Sequence, residues 1–129
     1  MFATIAKRFT FDAAHCLPLL PDGHKCKRVH GHTYTVELVC KGRLQRDCMV
    51  MDYAEIAEQW MPLGEQLDHH YLNDIPGLEY PTTEILAHWI FHKLTQNDTT
   101  FHHLKLVRVY ESSTTWCEIT RQDYLEGRG

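Results

Sequence analysis

The sequence predicts an α+β fold in the order ββααββ, with a four-stranded antiparallel sheet and two helices on one face. Three observations lead there: two alternating stretches near the N-terminus, two stretches of helical spacing in the middle, and two β-rich stretches near the end. The chain has 129 residues, 43% hydrophobic and 23% charged, which suits one soluble domain with its own core. Disorder, a collagen-like helix and a membrane span are excluded as overall readings.

Residues 3–13 place Ala3, Ile5, Phe9 and Phe11 on one parity and Thr4, Arg8, Thr10 and Asp12 on the other, as in a half-buried strand; Lys7 is the exception. A loop over 14–31 follows, carrying Pro18, Pro21, Gly23 and Gly31. Residues 32–41 alternate again, with Tyr34, Val36, Leu38 and Cys40 against Thr33, Thr35, Glu37 and Lys41. Asp52-Tyr53-Ala54-Glu55 has the form of a capping box. After it, Tyr53, Ile56, Ala57 and Trp60 recur at helical spacing until Pro62 and Gly64 interfere. The second helix starts near Thr82, after Pro81, buries Leu86, Trp89, Ile90 and Leu94, and ends at Asn97-Asp98. Strands over 104–111 and 115–120 complete the order. No repeat or linker divides the chain, so residues 1–121 read as one domain and 122–129 as a frayed tail. Nothing blunts the sheet edges with proline, and edge-to-edge joining of subunits would remove them, so a homo-oligomer is expected.

The formal net charge of −4 argues against a general binder of nucleic acid or anionic membrane. Cys16, Cys26, Cys40, Cys48 and Cys117 are odd in number, and Met1-Phe2-Ala3-Thr4-Ile5 does not read as a secretory leader. Reduced thiols and a cytoplasmic location are therefore expected.

Ten histidines are the unusual feature of the composition. His15 lies on the apolar parity of Ile5, Phe9 and Phe11, and His30 and His32 lie on that of Tyr34 and Val36. If the two strands are neighbours, three imidazoles converge, which is the donor set of a catalytic zinc with one open position. The plainer alternative for His30-Gly31-His32 is a turn with two solvated histidines. Cys26 stands among Lys25, Lys27 and Arg28, a setting that favours thiolate, although an isolated cysteine is more often an ordinary half-buried one. The other four cysteines take that ordinary reading. Asp68 beside His69 offers a carboxylate that could fix an imidazole tautomer, and Glu111 closes a strand on the parity of Val107 and Val109. His88 and His92 are one helical turn apart but share a solvated face with Glu84 and Gln96; His102-His103 has no evident partner, and His24 is undecided.

Ala14-His15, Cys26-Lys27-Arg28-Val29-His30-Gly31-His32, Leu67-Asp68-His69-His70-Tyr71-Leu72-Asn73-Asp74, Pro81-Thr82-Thr83-Glu84 and Tyr110-Glu111-Ser112 occur in that order. From about residue 2 to residue 120 the chain thereby resembles the 6-pyruvoyltetrahydropterin synthase superfamily. More narrowly it resembles the 6-carboxy-5,6,7,8-tetrahydropterin synthases of queuosine biosynthesis, which share the short Cys26–His30 spacing. The resemblance implies a tunnelling fold whose subunits close a barrel, a trimer-based hexamer, and a pterin triphosphate as small-molecule substrate. It implies that 7,8-dihydroneopterin triphosphate is converted to 6-carboxytetrahydropterin with release of acetaldehyde and triphosphate. His15, His30 and His32 match the Zn2+ ligands, Cys26 the proton-abstracting thiol, Asp68 and His69 the relay pair, and Glu111 the carboxylate that anchors the pterin. Thr82 and Thr83 are candidates for the pterin slot, although capping also explains Thr82. Lys25, Lys27 and Arg28 are candidates for the triphosphate, with a solvated loop as the alternative. Two rival functions remain at this point: a pyruvoyl-type synthase, and a non-catalytic zinc or pterin-binding module in which Cys26 is a fourth ligand.

Overall fold

The computed structural model describes residues 1–96 and 101–127. Strands β1 (Phe2–His15) and β2 (His30–Arg43) pair antiparallel from Phe2 against Arg43 to His15 against His30. Both are longer than their alternation predicts, because pairing draws Ala14, His15, His30 and Gly31 out of the expected loop and into the ladder. On the far side of β2 lie β4 (Leu104–Tyr110) and then β5 (Trp116–Thr120), both antiparallel to their neighbours. The sheet has five strands rather than the expected four, in the order β3-β1-β2-β4-β5. The addition is β3 (His70–Tyr71), parallel to the end of β1, and two residues are too few to carry an alternation.

Helices α1 (Tyr53–Leu67) and α2 (Thr83–Thr95) pack on one face of the sheet, α1 on β1 and α2 on β4 and β5. Asp52 caps α1 by accepting from the Ala54 N–H at 2.8 Å, rather than from the Glu55 N–H that the expected capping box would use. The helix does not stop at Pro62. Ile56, Trp60, Leu63 and Leu67 form one buried stripe through it, while Pro62 faces solvent, where water can satisfy the carbonyl one turn back. Burying Leu63 and Leu67 contributes about 3–6 kcal/mol, against roughly 3 kcal/mol for a helical proline. Gly64 is a packing requirement rather than a stop, since a Cβ there would lie 2.8 Å from Trp60 Nε1. Phe9 stacks on Trp60 at 5.3 Å, joining α1 to the sheet, and Phe11 stacks on Tyr34 at 5.0 Å within the sheet. The end of α2 predicted at Asn97-Asp98 lies outside the described residues.

The tail is not frayed over Arg121–Glu126, which forms α3. A full capping box between Thr120 and Asp123 starts it. Arg121 Nη2 donates to the carbonyls of Phe101 at 3.0 Å and Leu104 at 2.9 Å. Tyr124 lies against Phe91 at 4.9 Å and pairs with His92 Nδ1 at 2.6 Å. The face of α2 that reads as solvated is therefore partly covered by α3. Arg128 and Gly129, the end of the expected tail, lie outside the described residues.

The opposite face of the sheet carries a row of charges that neither composition nor periodicity predicts. Arg8, Glu37, Arg108 and Glu118 stand directly across from one another on β1, β2, β4 and β5. Glu37, only 6% exposed, accepts from Arg8 Nε at 2.7 Å and from Arg108 Nη1 at 2.6 Å. Burial alone would raise its pKa, but hydrogen bonds and charge from Arg8 and Arg108 hold it below the usual 4.5. A carboxylate lowered by folding contributes stability that is complete above the unfolded value and lost as pH falls through the folded one. Glu37→Gln is therefore expected to lower the melting temperature at pH 7 by about 5 °C. Its melting temperature should also fall less steeply than that of the wild type below pH 4.5. Parallel acid melting curves for the two proteins would rule out this role.

Candidate metal centre and active site

The register of β1 on β2 builds the centre. His15 faces His30, and Ala13 faces His32, so all three imidazoles lie on the face that also carries Phe11 and Tyr34. Their ligand atoms gather within 4.8 Å of one another, with His15 fully buried. Outward hydrogen bonds fix the tautomers. His15 Nδ1 lies 2.9 Å from the Pro81 carbonyl, and His30 Nδ1 lies 2.7 Å from the Arg28 carbonyl. A carbonyl only accepts, so each ring carries its proton on Nδ1 and presents the Nε2 lone pair inward. The two Nε2 atoms are 3.0 Å apart. Lone pairs at that distance repel unless a proton or metal ion lies between them.

Burial, followed by repulsion from His30, lowers the pKa of His15, which disfavours a proton as the bridge. Burial likewise lowers that of His32, with His30 adding to it and Glu111 opposing it. Glu111 Oε1 lies 3.1 Å from His32 Nε2, yet that Nε2 is buried and makes no hydrogen bond. Three inward nitrogens without a common hydrogen-bonding solution are a group that could hold a metal ion.

The relay candidates sit beside the other edge of β1. Asp68 Oδ1 accepts from the Asp12 N–H at 2.9 Å, and Asp68 Oδ2 lies 3.0 Å from His69 Nδ1. His69 takes a left-handed backbone, φ 60°, and its N–H donates to the Asp12 carbonyl at 2.6 Å. Those two bonds turn the chain from α1 into β3 and hold the pair in register with β1. The Asp68 hydrogen bond, and then its charge, raise the pKa of His69. The same interactions, led by the Asp12 N–H, lower that of Asp68. His69 and His32 both line a cleft of about 560 Å³, which is in the range of small-molecule sites.

Cys26 is half-buried in a 3-10 turn, Lys25–Lys27. Its N–H donates to His24 Nδ1 at 3.1 Å and its carbonyl accepts from Leu17 at 2.9 Å. His24, undecided in sequence, is thus the cap of that turn. The three cations near Cys26 are not equivalent, because Lys27 pairs with Asp22, whereas Lys25 and Arg28 are exposed. Thr82 caps α2 by accepting from the Ile85 N–H at 3.2 Å, and Thr83 Oγ1 donates to Glu84 at 3.2 Å. Among the described residues, Cys26 is not in the group with the three histidines. His102 and His103 lie ring to ring at 4.1 Å, away from this centre, in the loop before β4. Sequence reasoning did not assign Pro81, whose contribution is a carbonyl, or Tyr34, which read only as core although it shares the parity of His30 and His32. Tyr34 Oη lies 3.2 Å from His15 Nδ1, and burial raises its pKa so that it keeps its proton.

Comparison with known proteins gives four relevant findings. The sequence pattern of the family described as 6-pyruvoyl tetrahydropterin synthase matches residues 4–122. A Synechocystis protein described as 6-carboxy-5,6,7,8-tetrahydropterin synthase is 44% identical over 71% of this chain and 74% of its own. A Pyrococcus furiosus protein described as dihydroneopterin monophosphate aldolase is 31% identical over 92% of this chain and 98% of its own. Among solved structures, the Caenorhabditis elegans 6-pyruvoyl tetrahydropterin synthase superposes with a TM-score of 0.85 at 24% identity, covering 93% of this chain and 96% of that one. That likeness shows the fold, the tunnelling fold expected from the motifs.

Proposed function

Because the chain belongs to the 6-pyruvoyl tetrahydropterin synthase family, we propose that it is a zinc-dependent carbon–carbon lyase. Its substrate in this reading is 7,8-dihydroneopterin triphosphate. With one water consumed, the products are 6-carboxy-5,6,7,8-tetrahydropterin, acetaldehyde and triphosphate, an early step of queuosine (7-deazaguanine) biosynthesis. The observation that carries the reading is the convergence of three inward Nε2 atoms from His15, His30 and His32. The donor chemistry suits zinc, which takes neutral imidazoles and keeps a further position open in catalytic sites. When bound, zinc would supply a Lewis acid that polarises the substrate's side-chain oxygens.

The chain's own residues would supply the rest. Glu111 would accept two parallel N–H bonds from the pterin and set its orientation. Cys26 would take a proton from the side chain. With its Nδ1–H directed at Asp68, neutral His69 offers Nε2 as a second acceptor, and Asp68 stabilises the charged ring that results. Lys25 and Arg28 are the exposed cations of the Cys26 loop that could meet the triphosphate, and Thr83 is the threonine of the pair free of the helix cap. Residues 1–121 would form the tunnelling-fold domain. The position of β3 and β5 at the two open edges of the sheet supports assembly into a trimer-based barrel and a homohexamer. No helix among the described residues is long and apolar enough to cross a membrane, and we place the enzyme in the cytoplasm.

The test is a product assay on 7,8-dihydroneopterin triphosphate with zinc-loaded protein. Acetaldehyde and triphosphate in equal amounts are expected. Triphosphate without acetaldehyde would instead establish a pyruvoyl-type elimination, and no turnover would leave the binding-module reading. The Cys26–His30 spacing favours the carboxy product.

The pH dependence provides a further check. Asp68 raises the pKa of His69, so its base form appears only above the ordinary imidazole value of 6.5. Asp68→Asn should move the acidic limb of kcat/KM down toward 6.5 and lower the plateau by about 10²-fold. An acidic limb unmoved by Asp68→Asn would remove His69 from the relay.

A further inference from the structure

The geometry points to Asn73 as a positioning residue that holds the metal ligand His15 and the Cys26 loop in one arrangement. The inference rests on the reading of His15 as a metal ligand.

Strand β1 ends at His15, so the N–H and carbonyl of Cys16 have no next residue of a neighbouring strand to pair with. Asn73 takes that place. Its Oδ1 accepts from the Cys16 N–H at 3.0 Å and its Nδ2 donates to the Cys16 carbonyl at 2.9 Å. One side-chain amide thus supplies the donor and acceptor that an adjacent strand would supply. The same Nδ2 reaches the Glu79 carbonyl at 3.3 Å, two residues before the Pro81 whose carbonyl fixes the His15 tautomer. On the other side of Cys16, the Leu17 N–H donates to the Cys26 carbonyl at 2.9 Å.

Asn73 therefore connects three parts of the centre: the backbone next to the ligand, the segment that orients its ring, and the anchor of the thiol loop. Its own backbone is well placed for this, because Leu72 is fully buried and Ile75 is 7% exposed on either side of the turn. Hydrogen-bonding partners that orient metal ligands typically change metal affinity by about 10–100-fold when removed.

The test measures zinc affinity by chelator competition in full-length protein, alongside far-UV circular dichroism of the metal-free form. Asn73→Ala is expected to bind zinc about 10–100-fold more weakly than the wild type, with its metal-free spectrum unchanged. Asn73→Asp has the same size but turns an oxygen toward the carbonyls of Cys16 and Glu79, so it should not restore affinity. Wild-type affinity in Asn73→Ala overturns the inference. So does recovery in Asn73→Asp, which would reduce Asn73 to filling space. If Asn73→Ala does not fold, the isosteric aspartate variant decides by the same criterion. Zinc that is bound by the wild type and lost in His15→Ala, but kept in Asn73→Ala, overturns the role of Asn73 alone. Zinc content unaffected by His15→Ala overturns the metal reading and this inference with it.

Discussion

Replacing His15 with alanine is expected to remove the metal and the activity while leaving the fold in place. The ring is fully buried, and its Nε2 lies 3.0 Å from that of His30. Without it, two imidazoles remain, and the affinity should fall by more than the roughly 100-fold of a lost orienting partner. Loss of a Lewis acid worth several kcal/mol to the transition state corresponds to a rate decrease of about 10³-fold or more. Structurally, the change leaves the Pro81 carbonyl without its donor and Tyr34 Oη without its ring partner, a cost of about 1–3 kcal/mol. The apolar core of Trp60, Leu67, Leu86 and Ile90 is untouched, so far-UV circular dichroism should match the wild type. Metal content by elemental analysis is the deciding measurement. A His15→Ala protein that retains stoichiometric zinc would take His15 out of the ligand set.

The second large effect is expected at Cys26. In Cys26→Ala the three histidines keep their positions, because the turn is held by backbone bonds to His24 and Leu17 rather than by the thiol. Zinc content should therefore stay at the wild-type level while kcat falls by about 10²–10⁴-fold, the usual contribution of a proton-transfer group. The opposite pattern, in which metal and activity fall together, would make Cys26 a fourth ligand and return the protein to the binding-module reading. This variant and His15→Ala separate the two functions assigned to the centre, since only one of them should lose metal.

How far the site was legible differs from residue to residue. The convergence of His15, His30 and His32 follows from strand parity, and the register of β1 on β2 agrees with it. The Asp68–His69 pair was visible only as adjacency. Its contact depends on the left-handed turn at His69 and on the Asp12 backbone, some 56 positions from Asp68. Glu111 was placed by parity near the end of a strand, and the structure sets it against His32. Among the basic residues near Cys26, sequence could not show that Lys27 is neutralised by Asp22. Two elements were misread through local rules. Pro62 read as a stop for α1, but the buried stripe continues on the opposite side of the helix. The residues after β5 read as a frayed tail, but Thr120 and Asp123 form a capping box, and Arg121 and Tyr124 tie α3 to the body.

The sequence by itself determined the order of the main strands and helices, the face on which the three imidazoles lie, and the family motifs. These are properties of spacing along one strand or helix, and side-chain identity reports them directly. Only the tertiary structure decided the tautomers of His15 and His30, the clamp of Asn73 on Cys16 and Glu79, and the charge row through Glu37. Each depends on a backbone carbonyl or a cross-strand neighbour distant in sequence. A carbonyl is the same at every residue, and register is set by the packing of the whole sheet, so neither leaves a local trace in the chain.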